Sequence, residues 1–108
     1  MPVVEDVGLE ELKRGLKDGS ILLVDVREPN EWDAGHIEGA TLNPLSSFDP
    51  AALPKGEGKR VVLHCRSGKR SVTALELAQE NGRPDVRAHF GGGMLKWAEA
   101  GEPVARDG

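Results

Sequence analysis

The chain of 108 residues is poor in cysteine: it holds one, Cys65. A lone thiol excludes an internal disulfide. It also argues against the cysteine-dense small secreted domain, so a reducing, cytoplasmic setting is expected. Positive charge is not in excess either. The formal net charge is −4, whereas general nucleic-acid binders are basic, so no nucleic-acid partner is expected. Long apolar runs are missing, and no membrane association is expected. The acidic, amphipathic opening MPVVEDVGLEELKRG lacks the apolar core of a signal peptide. There is no repeat, no low-complexity linker and no HxxxH or Cys/His spacing suited to a metal. No cofactor is expected, and the tail EPVARDG is expected to fray.

What remains reads as one soluble domain spanning residues 1–108. Charged residues make up 30% and hydrophobic ones 38%. A chain of this length can bury roughly 60–70% of its unfolded surface, enough for a modest core.

Leu9, Leu12 and Leu16 share one face of a short helix that Gly19 ends. ILLVDV, residues 21–26, is apolar and too short for a typical helix. It reads as a strand buried on both faces, as in parallel sheets. Pro29 can open a helical turn, with Trp32 and Ile37 packing on the core. Residues 40–42 form a short strand candidate ended by Asn43-Pro44. Residues 45–58 read as a loop with one helical turn over 51–53. RVVLH, residues 60–64, is a second buried strand. Residues 71–81 read as a helix with Val72, Leu75 and Ala78 on one face. A strand over 86–90 and a helix over 94–100, broken by Gly91-Gly92-Gly93, follow. Strands alternating with helices predict an α/β fold: a mainly parallel sheet of about five short strands with helices on both faces.

Ligands in such sheets bind beyond the carboxyl ends of strands, and Cys65 stands at such an end. The stretch CRSGKRS, residues 65–71, then gives the chemistry. A lone cysteine is often no more than a small buried hydrophobe. Here Arg66, Lys69 and Arg70 surround it, and a helix beginning near Ser71 would aim its N-terminus at the sulfur. Both features lower a thiol's pKa. Gly68 lets the loop curl, so that its backbone N–H groups converge into an anion-binding nest. His64 precedes Cys65, but adjacent strand residues point to opposite faces, which gives it a structural role. His36 is expected to stabilise the fold by hydrogen bonding, and nothing beyond position recommends His89. Trp32 and Trp97 read as core.

These residues resemble the single-domain rhodanese family of thiosulfate-type sulfurtransferases. LLVDVREPNEWDAGHIEGATLNP, residues 22–44, resembles its N-terminal signature; VVLHCRSGKRS, residues 61–71, its active-site loop; and GGMLKW, residues 92–97, its C-terminal signature, followed by GEPV. The resemblance implies a helix-flanked α/β sheet. It also implies transfer of a sulfane sulfur from thiosulfate or a similar small anionic donor to cyanide or a thiol, through a persulfide on Cys65. Arg66, Ser67, Gly68, Lys69 and Arg70 would bind substrate, and Asp25, Arg27 and Ser71 would support the loop, Asp25 and Arg27 as an ion pair. A sulfur-relay protein is a further partner. One departure is Phe90-Gly91, where the family commonly has a Leu-Glu-like pair; Gly91 removes a polar anchor and predicts a less rigid loop.

The spacing Cys-x4-Arg makes a six-residue loop, one residue short of the related phosphatases. The tighter ring of donors suits a sulfur atom on Cys65 better than a phosphoryl group. Two alternatives stay open: a non-enzymatic persulfide carrier or interaction module, and a phosphatase or arsenate-reductase relative.

Overall fold

The computed structural model describes residues 2–106. Five strands form one sheet: β1 (Glu5–Asp6), β2 (Ile21–Asp25), β3 (Thr41–Leu42), β4 (Arg60–His64) and β5 (Ala88–Phe90). Their order is β1-β5-β4-β2-β3, and every pairing is parallel. Four helices connect them: α1 (Leu9–Asp18), α2 (Pro29–Ala34), α3 (Lys69–Glu80) and α4 (Gly93–Glu99). No helix among the described residues is long and apolar enough to cross a membrane.

The apolar runs behave as buried parallel strands should. Four of the five residues are buried in each of β2 and β4. Alternate residues feed two separate cores. Val24, Val26, Leu63 and Cys65 pack with Ala74, Leu75 and Ala78 of α3. Leu23, Val62, Ala88 and Phe90 pack with Leu12 of α1 and Trp97 of α4. Each fully buried Leu, Val or Phe stabilises by roughly 1.5–3 kcal/mol. The chain leaves β2 toward β3 and leaves β4 toward β5, in opposite directions. A crevice therefore opens beyond the carboxyl ends of these two central neighbours. Cys65 follows β4 directly at that point.

Several elements differ from the sequence reading. β1 is an added edge strand. Glu5-Asp6 carries no apolar pattern and is recruited by backbone bonds, Glu5 N–H to Arg87 O at 2.8 Å and Val7 N–H to His89 O at 2.9 Å, with side-chain contacts from Glu5 to Arg60 and from Asp6 to Gly91 N–H. β5 is shorter than expected, and α3 and α4 begin earlier. The 45–58 segment holds two 3-10 turns, Leu45–Ser47 and Pro50–Ala52. The Arg83 guanidinium straps the second of them, donating to Leu53 O at 2.9 Å and Pro54 O at 2.6 Å. The described part of the tail does not fray. Ala105 and His36 exchange backbone bonds of 2.8 and 2.9 Å, and Trp97 Nε1–H donates to Pro103 O at 2.8 Å. The last two tail residues lie outside the described range.

Candidate active site

Cys65 is 1% exposed and forms the floor of a tight loop between β4 and α3. Gly68 turns that loop at φ +96°, a left-handed conformation that suits glycine. The Gly68 N–H donates to Cys65 Sγ at 3.1 Å. α3 begins at Lys69, so Lys69 and Arg70 belong to its first turn and its positive end faces the sulfur. Burial pushes the Cys65 thiol up. Donors from Ser71, Gly68 and Ser67 outweigh that and leave its pKa below the ordinary value.

α4 explains why the loop's N–H groups are free to face inward. Met94 N–H donates to Cys65 O at 3.0 Å, and Leu95 N–H donates to Arg66 O at 3.1 Å. The first amides of one helix thus hold the loop's carbonyls away from the sulfur. This approach needs Gly93, whose φ is +60°; a Cβ there would sit 2.5 Å from both carbonyl oxygens.

The cations divide. Arg66 and Lys69 are exposed, and neither side chain makes an ion pair among the described residues. Arg70, expected with them to bind the donor, is held in a two-point clamp by Glu31 of α2. Nη1 lies 2.6 Å from Oε1 and Nη2 2.9 Å from Oε2. The Arg70 guanidinium, against burial, holds the Glu31 carboxyl down at about 2. Asp25 and Arg27 form a buried ion pair, Nη2 to Oδ2 at 2.7 Å. Arg27 also donates to Gly35 O at 2.8 Å. The pair therefore fastens α2; Arg27 Nη1 also donates to Glu31 O at 3.4 Å, beside the Arg70 clamp, and Asp25 lies beside His64, which precedes Cys65.

His64 stands in register with Asp25 and Phe90, on the face opposite the Cys65 core. It is fully buried, with Nε2 3.7 Å from Asp25 Oδ2. His36 Nδ1–H donates to Trp32 O at 3.0 Å, and the ring stacks on the Trp32 ring. Three contributors were missed by the sequence reading: Glu31, Asp6 and His89. Asp6 accepts from Gly91 N–H at 2.9 Å, so β1 supplies the polar anchor that Gly91 lacks. His89 Nδ1 lies 2.7 Å from Ser71 Oγ, which is 3.7 Å from Cys65 Sγ.

Residues 8–100 match the rhodanese-like domain. The chain belongs to the rhodanese-like family. A relative in Synechocystis sp., the uncharacterized protein slr1261, is 42% identical over 87 residues. That match takes in 81% of this chain but 48% of slr1261, so the chain spans about half the length of that relative. A protein of Allochromatium vinosum named sulfurtransferase is 32% identical, covering 94% of this chain and 95% of its own. Among solved structures, a rhodanese-related protein from Thermoplasma volcanium superposes with a TM-score of 0.79 at 26% identity, over 95% of this chain and 99% of that one. The helix-flanked parallel sheet is the rhodanese fold, and Cys65 is the single thiol available to rhodanese-like chemistry.

Proposed function

We propose that this chain is a sulfurtransferase that carries a sulfane sulfur on Cys65. The observation that carries this reading is the donor cradle, in which a six-residue loop directs the Gly68 N–H at a buried sulfur whose pKa is lowered. In the first step the Cys65 thiolate attacks the outer sulfur of thiosulfate or a similar small anion. A new S–S bond forms, the donor's own S–S bond breaks, and sulfite leaves with the electron pair. In the second step a thiol or cyanide attacks the outer sulfur of the persulfide, and Cys65 leaves as the thiolate. The inward N–H groups stabilise both charged forms of the sulfur, as an oxyanion hole does for oxygen. Arg66 and Lys69, being exposed, draw in the anion, whereas Arg70 stiffens the loop through Glu31. A sulfur-relay protein could deliver the same sulfur to the same atom.

The test is mass spectrometry under non-reducing conditions after incubation with thiosulfate. The protein gains one sulfur, cyanide removes it as thiocyanate, and Cys65→Ser abolishes both. An unchanged mass, or aryl-phosphate turnover that needs Cys65, would overturn the reading.

A further inference from the structure

Ser71, His89 and Asp6 form a line leading away from the sulfur, and they come from α3, β5 and β1. Cys65 Sγ lies 3.7 Å from Ser71 Oγ, and Ser71 Oγ lies 2.7 Å from His89 Nδ1. His89 Nε2 lies 3.8 Å from Asp6 Oδ1. The order of proton roles follows from chemistry. A carboxylate beside Nε2 favours the proton there, which leaves the Nδ1 lone pair for the Ser71 hydroxyl. The hydroxyl's other acceptor, Gly68 O, is farther away at 3.2 Å. The Ser71 oxygen is then open to the Cys65 S–H.

Gly91 supplies a second, independent observation. A Cβ at this position would stand 2.6 Å from Asp6 Oδ1 and 3.2 Å from His89 Nε2. The departure from the family pattern therefore leaves room for Asp6 and His89 to meet. Asp6 is held there by the Gly91 N–H at 2.9 Å, although its side chain is 70% exposed. The groups around the imidazole are few. β1 brings Asp6, α3 brings Ser71 with Cys65 beyond it, and β4 brings apolar Leu63 in register.

We propose that Ser71 and His89 form the proton path by which Cys65 ionises, with Asp6 as the group that orients and steadies His89. The Cys65 S–H proton passes to Ser71 Oγ as the Ser71 O–H proton passes to His89 Nδ1. The products are a thiolate and an imidazolium, and no outside reactant is consumed. His89 and Asp6 are positioning residues that act through Ser71. Burial pulls the His89 imidazole below its usual range against the pull of Asp6, which favours the neutral ring. The path rests on Cys65 being the nucleophile of the reading above, and not on which sulfur donor it meets.

The experiment is the rate of Cys65 alkylation by iodoacetamide as a function of pH, a readout that involves no sulfur donor. Two coupled groups titrate as a pair. The protein as it stands should show two steps, the lower one being thiolate formed opposite the imidazolium. His89→Gln should leave one step, with the rate on the acid side down about tenfold, equivalent to about one pKa unit of the thiol. Asp6→Asn, at an exposed position that folding tolerates, should shrink the lower step without abolishing the upper one. A purely structural His89 would lower the melting temperature and leave the profile's shape intact. A single-step profile in the parent protein, or two steps retained in His89→Gln, overturns the path. A two-step profile with no persulfide formed from thiosulfate would instead count against the sulfurtransferase reading alone.

Discussion

Replacing Glu31 with Gln tests the clamp that holds Arg70 against α2. The change is nearly isosteric but removes the charge. Glu31 makes two short contacts with Arg70, at 2.6 and 2.9 Å, with side chains 26% and 32% exposed. The carboxyl stands at about 2, against 4.5 in the unfolded chain, first through Arg70 and then through the Glu28 turn and Arg27, with burial opposing. Taken whole, a drop of that size is worth roughly 3 kcal/mol. Solvent reaches both side chains and screens the pair, which brings the contribution to about 1–2 kcal/mol. For a domain near 100 residues that is a fall in Tm of about 5–12 °C. The sign with pH follows from a folded pKa below the unfolded one. The contribution is full above about 4.5 and drains away as pH falls toward about 2. Urea melts of the parent and Glu31→Gln should differ most near about pH 7 and converge as the solution is acidified. A gap that stays constant from neutral to acid pH, or no gap at neutral pH, would refute the clamp.

Three further outcomes are expected. Gly93→Ala should cost about 3 kcal/mol or more, because a methyl 2.5 Å from Cys65 O and Arg66 O must push α4 off the loop; urea denaturation reads the loss. Arg66→Ala and Lys69→Ala should each raise KM for thiosulfate several-fold, and added salt should mimic them in the parent protein, since exposed charges are screened within about 10 Å at 0.1 M; steady-state kinetics at low and high salt check this. His64 is buried, and desolvation holds its pKa below 6.5, with Asp25 pulling upward. The unfolded chain therefore binds this proton first, and stability falls as pH drops below about 6.5; a His64→Asn variant should show a shallower slope of stability against pH over that range.

What was legible in the sequence was what is local. β2, β4 and α1 carry their pattern within a few residues, and burial on both faces leaves no ambiguity for runs such as VVL before Cys65. The start of α3 was misread for a physical reason. Lys69 and Arg70 are cations in a first turn, where the helix dipole disfavours them, so the residue pattern alone points to Ser71 as the start. The cysteine, its glycine turn and its cations were readable because they lie within seven consecutive residues. Their partners were not. Arg70 finds Glu31 across 39 positions, Ser71 finds His89 across 18, and Gly91 finds Asp6 across 85. Each meeting depends on strand order, which brings β1 beside β5 and β5 beside β4. A polar pair such as Glu5-Asp6 gives no periodic signal from which that order could be drawn.

The fate of the three cations changes the account of why Cys65 is acidic. Counting charges in the loop suggests that Arg66, Lys69 and Arg70 together draw the proton off the thiol. In the folded chain Arg70 shares its charge with Glu31, and the exposed Arg66 and Lys69 are screened by water. The donors that hold the sulfur's pKa down are the Ser71 amide and hydroxyl and the amides of Gly68 and Ser67. These donors are fixed in direction by the Gly68 turn on one side and by the α4 amides gripping the loop's carbonyls on the other. Backbone dipoles set in this way cost no reorganisation when charge appears on the sulfur, and nearby solvent screens them little. The thiolate should therefore persist at high salt even as capture of an anionic donor weakens, so the alkylation rate of Cys65 and the KM for thiosulfate should respond differently to ionic strength.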